Sequence, residues 1–150
     1  MIFREATLED IPGIQKVRGS VHENILSDPS RVTHEDVAHY LTKRGKGWVC
    51  ENEGVIAGFA IADLEENNIW ALFIRPEFEG FGIGRALQYK MLEWYFSHGK
   101  DHLWLGTDPG TRAERFYRET GWEHTGNHGD NELKFEMTRE QWNHIKKSPR

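Results

Sequence analysis

The segment Glu79-Gly80-Phe81-Gly82-Ile83-Gly84-Arg85 sets a glycine at every second position where an apolar run passes into an amphipathic one. Glycines in such a turn let the backbone approach a ligand and leave several N–H groups pointing into space. A helix beginning there adds unsatisfied N–H donors and the positive end of its dipole. The combination is a cradle for a phosphate or pyrophosphate. Two phosphate-binding patterns fail on spacing. A G-x-G-x-x-G fingerprint would need glycine at Arg85 or at Leu87, and no Gly-Lys-Ser/Thr tripeptide follows to complete a Walker loop. A second grouping is Ala113, Phe116 and Tyr117, spaced i, i+3, i+4. That spacing alone makes a buried helix face, but a phenol that is protonated at neutral pH can also donate a proton.

The elements that must carry these residues can be read along the chain. Ile2–Ala6 is an expected first strand, followed by a helix opened by Thr7-Leu8-Glu9-Asp10 and running to about Asn24. Ser27–Ser30 reads as a loop, and Thr33 caps a second helix to about Lys43. Trp48–Cys50 and Val55–Ala62 flank a hairpin turn at Glu53-Gly54. Asn67-Asn68 turns the chain into a fourth strand, Ile69–Ile74, which delivers the glycine loop. The next helix is expected to run to about His98 and stop at Gly99. Leu103–Leu105 is a fifth strand. Thr111 and Glu114 box a helix that ends at Gly121, strands follow near Trp122–Thr125 and Glu132–Met137, and Thr138 with Gln141 caps a last helix. The order is β-α-α-β-β-β-α-β-α-β-β-α.

Two motifs within this order carry a family resemblance. Ile74–Leu87 resembles motif A of the GNAT acyltransferase superfamily, an apolar strand and Pro followed by Gln/Arg-x-x-Gly-x-Gly/Ala. Here those positions fall on Glu79, Gly82 and Gly84, so a carboxylate replaces the first residue of the pattern. Ala113–Trp122 is similar to motif B, Ala-x-x-Phe/Leu-Tyr followed by Gly-Phe/Trp. The resemblance covers nearly the whole chain. It implies an α/β (α+β) GNAT fold in a single domain over residues 1–150. Its mostly antiparallel sheet of about seven strands has helices on both faces and is splayed between strands 4 and 5.

The resemblance further implies an N-acetyltransferase that binds acetyl-CoA and passes the acetyl group to a primary amine in a ternary complex. Phe73, Ile74, Glu79, Gly80, Phe81, Gly82, Gly84 and Arg85 are the implied cofactor-binding residues, largely through backbone N–H groups. An N–H aimed at the developing oxyanion stabilises the transition state. Tyr117 matches the tyrosine that protonates the departing sulfur. No acid stands on Ile69–Ile74, where some members of the family place their base. Asp63, Glu65, Glu66 and Asp108 are the candidate substitutes, Asp108 being best placed, and a water-relayed base is the favoured alternative. Trp70 either lines the acceptor pocket or fills core. The acceptor, a small molecule or peptide, is expected to meet residues 18–39 and 125–131. A non-catalytic acyl-CoA sensor of the same fold is the second reading.

Composition narrows the function classes. The chain has 150 residues, 37% hydrophobic and 29% charged, with a net charge of −5. This suits one domain, argues against nucleic-acid binding and slightly favours cationic acceptors. Six tryptophans without a basic stripe do not make a base-stacking surface. His34 and His39 are five apart, so they cannot share a metal ion as an i, i+4 pair would, and no metal is expected. Cys50 is the one cysteine, which suits a reducing, cytoplasmic setting. No segment reads as a signal peptide or membrane span, and a homodimer is compatible with the chain.

Overall fold

Three of the expected helix starts form as reciprocal capping boxes. The computed structural model, which describes residues 1–21 and 32–147, shows the Thr7 N–H donating to Asp10 Oδ2 at 2.7 Å. Asp36 N–H donates to Thr33 Oγ1 at 3.1 Å while Thr33 N–H donates to Asp36 Oδ2 at 2.9 Å. Thr138 and Gln141 exchange bonds of 2.7 and 3.0 Å in the same way. At Thr111 only half the box forms. Its Oγ1 accepts from Glu114 N–H, whereas the Glu114 carboxylate takes Gly110 N–H and Arg118.

The described residues fall into two units, Met1–Glu93 and Trp94–Arg150. In the first, β1 (Ile2–Glu5), β2 (Gly45–Asn52), β3 (Val55–Asp63) and β4 (Asn68–Ile74) pair antiparallel in that order. The β2–β3 turn has φ of 51° at Glu53 and 82° at Gly54, the two positive angles of a tight hairpin. Strand β3 is apolar at nearly every position because both its faces are covered. On one face α1 (Ile11–Ser20) buries Ile11, Ile14 and Val17 in a cluster with Phe59, Ile61 and Ala71, to which α2 (His34–His39) adds Val37. Tyr40–Arg44 continues α2 as a π-helical turn, with Gly45 N–H donating to the Tyr40 carbonyl. On the other face lies the start of α3 (Ile83–Phe96). A Cβ on Gly58 would stand 2.6 Å from Ile74 Cδ1 and 3.4 Å from Ile83 Cγ2, so only glycine admits that approach.

In the second unit β5 (His102–Thr107), β7 (Glu132–Thr138) and β6 (Glu123–His128) pair antiparallel in that order. Helices α4 (Arg112–Glu119) and α5 (Arg139–Lys147) complete it. Leu103, Leu105, Phe135 and Met137 are buried, as are Tyr117, Trp122 and Trp142. The observed element order is the expected one. Helix α1 closes at Ser20 rather than near Asn24, and the expected Ser27–Ser30 loop lies outside the described residues. Helix α3 closes at Phe96, with Gly99 at φ 75° just beyond.

Candidate active site

The glycine loop opens outward. Gly80 and Gly82 have φ of 86° and 80°, a region that L-residues with side chains avoid. A Cβ at either would meet nothing within 4 Å, so it is backbone conformation and not crowding that demands glycine there. Gly82 accepts the first helical bond of α3, from Ala86 N–H at 3.1 Å. The N–H groups of Ile83, Gly84 and Arg85 therefore lack intrahelical acceptors, at the positive end of a helix of 14 residues. Glu79, Phe81 and Gly82 are exposed around this opening.

Strand β4 feeds the loop and carries an irregularity that periodicity did not indicate. Ala71 pairs with Ile61 and Ile69 with Ala62, leaving Trp70 as an extra residue in a β-bulge. Beyond the bulge the register is regular, and Arg75 N–H donates to the Ala57 carbonyl at 2.9 Å. By the alternation of an antiparallel ladder, the N–H of Phe73 faces β3, whereas those of Leu72 and Ile74 face away from it. Of the two expected backbone donors on this strand, Ile74 is the one turned away from the ladder.

The bulge also sets Trp70 on the face of the sheet covered by α1 and α2, where it joins Tyr40, Phe59 and Phe73. Trp70 and Tyr40 stack at 3.9 Å with an 11° interplanar angle. Two guanidiniums flank this stack. Arg44 Cζ lies 5.0 Å from the Tyr40 ring. Arg18 Cζ lies 5.1 Å from Trp70, 5.2 Å from Phe73 and 5.8 Å from Phe59. Such contacts favour a cation, the more so away from water.

In the second unit Tyr117 is 6% exposed, packed edge-on against Phe116 and Trp122. Burial pushes its phenol above the ordinary tyrosine value, so the ring keeps its proton throughout the neutral range. Asp108 ends the strand side of a turn whose carbonyl accepts from Thr111 Oγ1 at 2.8 Å. Near it stands a carboxylate that the sequence did not single out. Glu132 is half-buried, and burial together with the charge of Asp108 raises it above the usual glutamate value, with His128 pulling the other way. Its Oε1 lies over Gly106, where a Cβ would be 2.7 Å from it and 3.2 Å from His128 Cδ2. Trp104 packs on His128 at 4.8 Å, and Lys134 Nζ lies 5.3 Å from Trp104. These residues come from three strands, and a glycine in alternation with a tryptophan on β5 was the one sequence clue.

Other candidates are placed in structural roles. Asp63 is buried and takes Arg44 Nε at 3.1 Å and Nη2 at 2.7 Å, as well as Glu65 N–H. Glu65 and Glu66 lie exposed at the rim of that ion pair. Cys50 is fully buried, which raises its thiol above the ordinary value and leaves it unreactive. No helix among the described residues is long and apolar enough to cross a membrane.

Comparison with known proteins agrees with the two motifs. Residues 18–122 match the model of the acetyltransferase (GNAT) family. An uncharacterized N-acetyltransferase of Archaeoglobus fulgidus is 31% identical over 133 residues, covering 78% of this chain and 89% of the relative. Among solved structures, the PaiA N-acetyltransferase of Thermoplasma acidophilum, determined with coenzyme A, aligns with a TM-score of 0.80 at 17% identity. That alignment covers 91% of this chain and 98% of the other. A GNAT-family acetyltransferase of Staphylococcus aureus aligns with a TM-score of 0.77 at 18% identity, again over 91% and 98%. The glycine loop and the tyrosine helix thus sit on the fold they were read from, and the chain belongs to the GNAT acetyltransferase family.

Proposed function

We propose that this chain transfers the acetyl group of acetyl-CoA to a primary amine by direct attack. The observation that carries this reading is the open loop at Gly80–Gly82, whose outward donors at the start of α3 suit a pyrophosphate. Arg85 pairs with no carboxylate among the described residues and supplies a cation there. The Ile74 N–H, turned away from β3, is the donor for the acyl-carrying arm and its developing oxyanion.

The amine nitrogen bonds to the thioester carbon, and the carbon–sulfur bond breaks. Tyr117 gives its proton to the leaving sulfur; its phenol carries that proton throughout the neutral range. Within the second unit, Glu132, directly or through water beside Asp108, is the candidate to take the proton of the amine. A carboxylate held above its ordinary value is a better acceptor for this step than an ordinary one. Products are the amide and free coenzyme A. Trp70 and the aromatic face around it receive the acceptor.

Calorimetric titration with acetyl-CoA, NAD and ATP, combined with a thiol-release assay over a broad amine panel, tests the reading. Binding of acetyl-CoA alone with amine-dependent thiol release is expected. Tight acetyl-CoA binding without release from any amine identifies an acyl-CoA sensor instead, and binding of NAD or ATP in its place refutes the loop assignment.

A further inference from the structure

Three arginines of the first unit face sharply different surroundings. Arg4 is held by Asp10 through two bonds of 2.8 Å and by Glu51 at 2.7 Å. Arg44 is held by Asp63 in a two-pronged ion pair. Arg18 is the most enclosed of the three, and its Nε and Nη2 are buried with no hydrogen-bond partner among the described residues. No carboxylate among the described residues pairs with it. Its neighbours are the rings of Phe59, Trp70 and Phe73, which orient the guanidinium but cannot accept an in-plane N–H bond.

A guanidinium stays charged at any pH a protein meets, even where burial lowers its proton affinity as here. A buried charge with unfilled donors is costly, and a fold that retains one generally completes it with an anion. Nε and Nη2 are the pair of donors that meets a carboxylate side by side. A second unfilled group lies on the same face of α1, three residues earlier. Gln15 Nε2 donates to the Val32 carbonyl at 2.6 Å, which fixes the amide and leaves its buried Oε1 without a donor. Among the described residues, the aromatic face thus provides an arginine whose Nε and Nη2 lack an acceptor and an amide oxygen that lacks a donor.

We infer that Arg18 binds a carboxylate of the acceptor, so that the substrate is an amine that also carries a carboxylate, as amino acids and peptides do. This rests on the acetyl-transfer reading for the role of the amine, but not for the binding of the anion. It reverses the expectation of a cationic acceptor drawn from the net charge of −5. The local field at Arg18 outweighs the chain total because an unscreened neighbour acts more strongly than distant surface charge.

The test titrates the full chain calorimetrically with L-amino acids, short peptides and their carboxamides, with and without coenzyme A. At least one carboxylate should bind tenfold or more tightly than its carboxamide. Arg18→Met should erase that preference, and Arg18→Lys should keep only part of it because the fork is lost. Arg18→Met should also melt at or above the wild-type temperature, since it removes an unpaired buried charge. A drop of more than about 5 °C would show that the guanidinium is already satisfied within the chain and overturn the inference. Equal binding of carboxylates and carboxamides, or binding of no carboxylate, overturns it too. Carboxylate binding that depends on Arg18 but yields no thiol release refutes acetyl transfer alone. Equal thiol release from amines lacking a carboxylate refutes this inference alone.

Discussion

Gly82 and Gly54 allow backbone strain to be separated from ligand contact. Their φ angles are 80° and 82°, and a Cβ added to either meets nothing within 4 Å. Glutamate at either position therefore adds conformational strain of about 1–2 kcal/mol and no clash. For a domain of this size that strain lowers the melting temperature by roughly 2–8 °C, equally for both variants. Only at Gly82 does the new carboxylate also enter the space assigned to the pyrophosphate. Two like charges about 5 Å apart in water repel by about 0.8 kcal/mol, and two phosphate charges give about 1.6. At about 1.4 kcal/mol per decade, this is slightly more than tenfold in affinity. Calorimetric titration with acetyl-CoA is the assay, with melting curves beside it. Gly54→Glu should bind as the wild type does, while Gly82→Glu should bind at least tenfold more weakly, a difference that shrinks as salt is added. A folded Gly82→Glu variant with wild-type affinity refutes the loop as the phosphate site.

Tyr117→Phe should lower turnover by about 10²-fold, the low end for a general acid, with unchanged acetyl-CoA affinity; wild-type turnover in the folded variant leaves Tyr117 as packing. Turnover should rise with pH along one limb, and Glu132→Gln should flatten that limb; an unchanged profile excludes Glu132 as the base. Because the folded protein holds Glu132 above its ordinary value, the stability tied to it is complete below about pH 4.3 and is lost as pH rises through the raised value. Glu132→Gln should therefore melt higher than wild type at neutral pH and not in acid, read by melting curves across that range. Single neutralisation of Asp63, Glu65, Glu66 or Asp108 should each cost less than about tenfold in turnover. Of these, Asp63→Asn alone should lower the melting temperature clearly, by breaking the buried pair with Arg44.

What could be read in the sequence was local. Capping boxes at Thr7, Thr33 and Thr138 need residues three apart, and the Glu53-Gly54 turn needs two neighbours. The same holds for the glycine loop, whose unusual angles belong to consecutive residues. The box expected at Thr111 formed by half because Glu114 found two nearer donors, Gly110 N–H and Arg118. What escaped the sequence depends on partners far along the chain. The Trp70 bulge exists in the pairing of β4 with β3 and not in either strand alone. Arg18 is ordinary in a helix until Phe59, Trp70 and Phe73 close around it, and Glu132 is ordinary until Gly106 lets it lie down beside Asp108.

The bulge at Trp70 separates two demands that a strand residue normally meets together. A paired residue must suit both its ladder and the surface it faces, so changing it for one purpose disturbs the other. Trp70 has no residue opposite it on β3, and its ring stacks on Tyr40 and contacts the Arg18 guanidinium. A smaller or differently shaped side chain at this position would reshape that aromatic face while leaving the register from Ala71 to Ile74, and hence the Ile74 N–H and the glycine loop, where they are. On the proposed reading, acceptor choice and donor handling are therefore separable traits, and a change at position 70 would retarget the one without rebuilding the other.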